Sequence, residues 1–211
     1  MRNPIIMLFT AFLLLVASAG HVAAKPDRIP AGPPPGVVPG EQTIAEIVTE
    51  AAAGNPAEFE LLLDAILYIA ETNPDSALIT GLFDSDQFTV FAPNDQAFLS
   101  LVGAVAGLLD QDILNTDGPF AAIDDLLGAG TVEAVVSYHV TEGRRASNSV
   151  LPRRNERTIE TLLDGATFSV SGAGEITAVG STALILDPDI SASNGVIHVI
   201  NAVLLPIDLG L

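Results

Sequence analysis

The residue pattern predicts an α+β domain, with N-terminal helices packed on a mostly antiparallel C-terminal β-sheet. Three observations carry that expectation. Apolar residues recur at helical spacing between Thr43 and Tyr138. Beyond His139 the spacing shortens to the alternation of half-buried strands. Helices and strands occupy separate halves of the chain, which sets it apart from the alternating pattern of wound parallel sheets.

The elements follow in order. Arg2, the apolar run Ile5 to Val16 and two small-residue sites, Ala17-Ser18-Ala19 and Val22-Ala23-Ala24, predict a cleaved secretory signal peptide over residues 1–24. That run is short for a membrane span, which needs about 20 apolar residues. Residues 25–40 hold six prolines (Pro26, Pro30, Pro33, Pro34, Pro35, Pro39) and predict an extended linker. The domain is then expected over 41–206, with a short tail at 207–211. Thr43 and Glu46 form a capping-box pattern ahead of Ile44, Ile47 and Val48, so a helix starts there. Asn55-Pro56 predicts the start of a second, whose core stripe is Phe59, Leu62, Leu63, Ile66, Leu67 and Ala70. A strand over Phe88 to Phe91 leads through Ala92 and Pro93 to Asn94. Asn94 caps a helix with core positions Ala97, Phe98, Leu101, Val102 and Val105. Further helix is expected within 111–127 and over 132–138. Ala166, Phe168 and Val170 alternate with polar residues as a strand, and 183–186 and 196–205 read as two more. Asn194-Gly195 supplies a sharp turn into the last strand, since both residues tolerate positive φ.

Composition narrows the function. The chain carries 26 acidic and 8 basic residues, a net charge of −18, and no cysteine. Such a surface repels nucleic-acid phosphates and anionic membranes. Without disulfides, an exported domain must be held by packing alone. After Arg28, every basic residue falls between Arg144 and Arg157.

Removal of the signal peptide leaves two histidines, His139 and His198. There is no Cys nucleophile, no Gly-x-Ser-x-Gly elbow, no His-Glu-x-x-His and no phosphate-cradling loop. Two distant histidines do not make a zinc site. The acidic run from Asp110 to Gly118 misses the calcium-loop register, with Ile113 in the first ligand position. The reading is therefore non-enzymatic, with no metal and no cofactor. His198 lies on a strand that is apolar on both faces, so it is expected to be a buried, neutral imidazole with one donor and one acceptor satisfied. His139, following Tyr138, is expected to be part of a buried pair that locks a helix–strand junction by hydrogen bonds. Arg144, Arg145, Arg153, Arg154 and Arg157 form the candidate partner-binding cluster, because the guanidinium fork suits carboxylates.

These residues together carry a resemblance. The chain resembles the fasciclin domain family across nearly the whole of Gln42 to Pro206. The resemblance rests on four motifs in order: FTVFAPNDQAF from Phe88 to Phe98, Tyr138-His139, Thr161-Leu162-Leu163-Asp164-Gly165, and Asp189-Ile190 with SNGVIHVI from Ser193 to Ile200. It implies a fasciclin-like wedge and an extracellular role in cell adhesion or matrix attachment. It also implies that Phe91, Pro93, Asn94, Tyr138, His139, Asn194, Gly195 and His198 are structural motif residues, with Phe91 and His198 side by side in the core. Asp189-Ile190, and more loosely Asp112-Ile113, match Asp-Ile pairs linked to integrin binding in animal members. Asp189 and Ile190 thus join the candidate contacts, while integrin binding itself is not carried over. Asn201 departs from the family, where an acidic residue is common.

The sequence reading is thus a secreted binding module, extracellular, cell-surface or periplasmic. It recognises a cell-surface or matrix protein, a polysaccharide or a second copy of itself, with no nucleic-acid partner and no membrane span after signal cleavage. Because some family members carry pigments, the alternative is an extracellular carrier of an apolar small molecule such as a carotenoid or lipid.

Overall fold

The computed structural model describes residues 40–83, 87–109 and 118–210. The signal peptide, the linker up to residue 39, the acidic run with Asp112 and Ile113, and Leu211 lie outside the described residues.

Helix α1 (Ile44–Ala52) begins at the capping box: Glu46 N–H donates to Thr43 Oγ1, and Thr43 N–H donates to the Glu46 carboxylate at 2.8 Å. Helix α2 (Glu60–Thr72) starts later than the sequence predicts, and Asn55-Pro56 is not its cap. The amides of Gly54 and Glu58 bond back to Ala51 O, which holds this stretch as a turn on the end of α1. Phe59 then enters the helix at a left-handed φ of 66°. The first-turn amide of Leu61 is capped by Asp95 Oδ1 at 3.0 Å, from 34 residues away.

Helix α3 (Ala77–Phe83) leads to β1 (Phe88–Pro93) and α4 (Asp95–Leu109), the latter capped by Asn94 Oδ1 on Ala97 N–H at 2.9 Å. Then come α5 (Pro119–Leu127), α6 (Thr131–Tyr138), β2 (Val140–Glu142) and α7 (Ser147–Val150). The remaining strands are β3 (Arg157–Glu160), β4 (Thr167–Val170), β5 (Glu175–Thr177), β6 (Thr182–Ala192) and β7 (Gly195–Ile200).

The strands form one seven-stranded sheet in the order β2-β1-β7-β6-β5-β4-β3. Only β1 with β7 is parallel; every other neighbour pair is antiparallel. Every residue of β1 and β7 is buried, as a central pair covered on both faces requires. Phe88, Val90, Ala92, Ile197 and Val199 face the helices and pack with Ile44, Leu62, Ile69 and Phe98. On the opposite face, Phe91 and Ile200 meet Ile159, Phe168, Val170 and Ile176 from β3, β4 and β5. The Phe91 and Phe168 rings stand edge to face, 5.0 Å between centroids. Burying each such side chain contributes roughly 2–3 kcal/mol.

The sheet's two ends are finished differently. In an antiparallel ladder, alternate residues turn their polar groups away from the partner strand. On β2, Val140 O accepts the Leu162 N–H at 2.7 Å and Glu142 O accepts Arg145 Nε–H at 3.1 Å, so both outward carbonyls are taken. The bond to Val140 O also takes up Leu162 just past β3, but within β3 itself there is no such cover among the described residues.

Two further expectations are corrected. Strand β7 ends at Ile200, not at 205. Asn201 donates its N–H to Leu184 O, and its Oδ1 accepts the Leu184 N–H at 2.7 Å, so one side chain closes the ladder. Val203, Leu204 and Leu205 remain buried, but side chains receive two of their amides: Leu204 N–H donates to His139 Nε2 and Leu205 N–H to Ser181 Oγ. The turn at Asn194-Gly195 does not use positive φ at either residue. Glycine is required at 195 by close approach: a Cβ there would lie 2.1 Å from Phe88 O and 2.7 Å from Ile44 Cδ1.

Candidate functional site

The motif residues converge at the centre of the sheet. His198 lies opposite Phe91 in the β1–β7 register, with ring centroids 5.3 Å apart, and is fully buried. Its Nδ1 accepts the Asp189 N–H at 3.2 Å, so Nδ1 is unprotonated and Nε2–H donates to Arg145 O at 2.8 Å. Burial holds this imidazole below its usual range, partly countered by the Arg145 carbonyl and the Asp189 carboxylate. The ring bridges two surface segments and is inaccessible to a substrate.

His139, at the end of α6, has the opposite tautomer. Nδ1–H donates to Val135 O at 2.7 Å, and Nε2 accepts the Leu204 N–H. Burial lowers it to about 4, against the opposing pull of the Val135 carbonyl. Tyr138 OH donates to Thr167 O at 2.7 Å. The two neighbours therefore fasten the junction to different partners: Tyr138 to β4, His139 to the C-terminal segment. Pro93 ends β1 opposite Ile200, Asn94 N–H donates to Ile200 O, and Asn194 Oδ1 accepts the Ile44 N–H at 2.8 Å. Each motif side chain is thus occupied within the fold.

The candidate contacts divide into two groups. Arg144 turns inward, with Nη1 donating to Ala192 O at 2.7 Å and Nη2 to Ser191 Oγ, while its Nε is sealed from solvent without an acceptor. Arg145 is half-buried and donates its backbone N–H to Thr89 Oγ1 at 2.8 Å. Asp189 sits at a left-handed φ of 68°, and its carboxylate accepts the Ser147 N–H and hydroxyl at the start of α7. Ile190 is half-buried against the helix-side core. By contrast, Arg153, Arg154 and Arg157 are exposed. Arg157 donates to Ser149 O, whereas Arg153 and Arg154 meet no described residue. Sequence reasoning missed Ser147, Thr89 and Ser191, which tie the inward group; nothing local to those residues signals the role.

A cleft of about 280 Å³ opens on the helical side beside Tyr68, Asp124, Asp125 and Glu133. Its carboxylates are partly committed: Asp124 accepts Tyr68 OH and the Gly130 and Val132 amides, and Glu133 accepts Ser76 Oγ–H and Asn73 Nδ2–H. Among the described residues no group of three or more His, Cys, Asp or Glu is placed to hold a metal ion, and no helix is long and apolar enough to cross a membrane.

Residues 74–206 match the family described as Fasciclin domain. The chain belongs to the fasciclin family. A relative is the immunogenic protein MPB70 of Mycobacterium bovis, 28% identical over 160 residues, which are 75% of this chain and 68% of that protein. Another is the cell surface glycolipoprotein MPB83 of the same species, 25% identical over 93% of this chain and 92% of that protein. Among solved structures, a fasciclin domain pair from the insect cell adhesion molecule Fasciclin I aligns over 67% of this chain and 44% of its own length, at 15% identity and a TM-score of 0.43.

Proposed function

We propose that this fasciclin-family chain is an exported, non-enzymatic binding module, and that residues 153–157 form its contact surface. The observation that carries the reading is the pair of exposed guanidiniums of Arg153 and Arg154, which have no partner among the described residues, with Arg157 beside them, on a chain of net charge −18. An isolated basic edge on an acidic body favours an anionic partner locally, because repulsion from the remaining charge is screened beyond about 8 Å at physiological ionic strength. Arg144, Arg145 and Asp189 are left out of this surface, since their polar groups are engaged within the fold. The signal-peptide pattern at 1–24 and the linker at 25–40 argue for a location outside the cytoplasm, at a cell surface, in a matrix or in a periplasm. A relative described as a cell surface glycolipoprotein agrees with that location.

The test is attachment of the purified chain to cells and matrix, with Arg153, Arg154 and Arg157 all changed to Glu. Attachment should fall at least tenfold with the thermal midpoint unchanged, and added salt should reproduce the loss in the native chain. Full attachment by the reversed variant rejects the surface. The carrier alternative predicts a coloured or lipid-bearing protein, read from an absorption spectrum and an organic extract. The cleft beside Tyr68 gives it little support, because carboxylates at Asp124, Asp125 and Glu133 disfavour an apolar cargo.

A further inference from the structure

The arginine edge is also the open end of the sheet. We infer that the chain takes its partner by strand addition, an extended acidic peptide segment pairing along β3 as an eighth strand. The inference rests on the reading of residues 153–157 as the contact surface and names the mode and chemistry of contact.

Thr161 N–H bonds to Ala166 O, which sets the alternation: Arg157, Ile159 and Thr161 turn toward β4, and Thr158 and Glu160 turn their N–H and C=O groups away. No described residue meets those outward groups. Both residues are exposed, while Ile159 between them is buried and anchors the strand. At the other end of the sheet the outward carbonyls of Val140 and Glu142 are both taken, and Leu162 N–H, the next outward group past Glu160, is spent on Val140, so the margin offered to a partner strand is the stretch of β3 at Thr158 and Glu160. A bare strand edge invites indiscriminate pairing, and proteins guard such edges by keeping them short and charged. This edge is both, with four residues and a charge at each end.

The guard charges also select. Arg153 and Arg154 precede the strand and Arg157 begins it, so an incoming segment meets three guanidiniums at that end. Glu160 closes the other end and repels acid. The preferred segment is therefore acidic beside Arg153 to Arg157, and neutral or basic beside Glu160. Main-chain hydrogen bonds supply affinity and the flanking charges supply choice. A polysaccharide has no amide ladder to offer and satisfies only the arginines.

The probe is an eight-residue synthetic peptide, glutamates alternating with valine or threonine in its first half and neutral in its second. It is used alongside the same peptide N-methylated at alternate amides. Binding is followed by amide shifts and hydrogen exchange on the isotope-labelled chain. Shifts and slowed exchange are expected at Thr158 and Glu160. N-methylation should weaken binding about tenfold or more, the loss of two hydrogen bonds. Glu160→Pro, which removes an outward donor at an edge position where proline is tolerated, should do the same. The Arg153/Arg154/Arg157→Glu variant should bind at least tenfold more weakly. If both peptides bind equally and in an arginine-dependent way, strand addition is overturned while the arginine surface stands. Binding of a sulfated polysaccharide but neither peptide likewise overturns strand addition and leaves the arginine surface standing. Peptide binding indifferent to the three arginines removes the underlying reading as well.

Discussion

Arg144 and Arg154 belong to one short basic stretch, yet the fold uses them in opposite ways. Arg144 lies where the chain leaves β2 and passes the end of β6, so its guanidinium closes on Ser191 and Ala192. Arg154 lies on the approach to an uncovered edge and meets no described residue. The inward half is bolted from beneath by His198, whose ring joins Arg145 to Asp189, while the outward half rests on a short exposed strand. Clustering in sequence therefore does not make a surface patch. Which charges reach a partner is decided by what the neighbouring strands leave uncovered.

That contrast is open to graded attack. His198→Ala should have the largest effect. It leaves a cavity and strands the Asp189 amide and the Arg145 carbonyl, at a cost of about 4 kcal/mol in a urea titration. Acid should loosen the same side. The His139 imidazole titrates near 6.5 when the chain is unfolded and at about 4 when folded. Between those values the unfolded chain holds a proton that the folded chain refuses, so stability is complete above pH 6.5 and falls as pH drops toward 4. The loss is about 3 kcal/mol at about 1.4 kcal/mol per pH unit. His198, also lowered by burial, acts in the same direction. Urea midpoints against pH should therefore flatten in His139→Gln. Asp189→Ala removes the cap on Ser147 and puts alanine at positive φ, costing about 2 kcal/mol. The smallest effects separate the arginines: Arg144→Ala should cost about 1 kcal/mol, and Arg154→Ala less than about 0.5 kcal/mol. Equal costs for the two would erase the distinction.

What the sequence made legible was local. Thr43 with Glu46 and Asn94 with Ala97 announce their helices because cap and capped amide lie within one turn. The run Gly195 to Ile200, apolar on both faces except for His198, announces a central strand. The errors lie where a distant group decides. Helix α2 starts at Glu60 because Asp95 reaches back to Leu61, and Asn55 cannot compete from within the turn that Ala51 holds. The last strand stops early because Asn201 takes up Leu184, although the following residues are just as apolar. The inward turn of Arg144, and the contacts of Asp189 with Ser147, are made across 40 or more residues, which no spacing rule encodes.

The hydrogen bond from Leu162 to Val140 has a consequence for assembly. A protomer that can lengthen its ladder in one direction only is a chain terminator. If two copies met β3 to β3, each would occupy the other's open β3 margin, and growth would halt at a pair. Fibrillar stacking, which needs two receptive margins on every unit, is disfavoured because Leu162 N–H and Arg145 Nε–H take the outward carbonyls of β2.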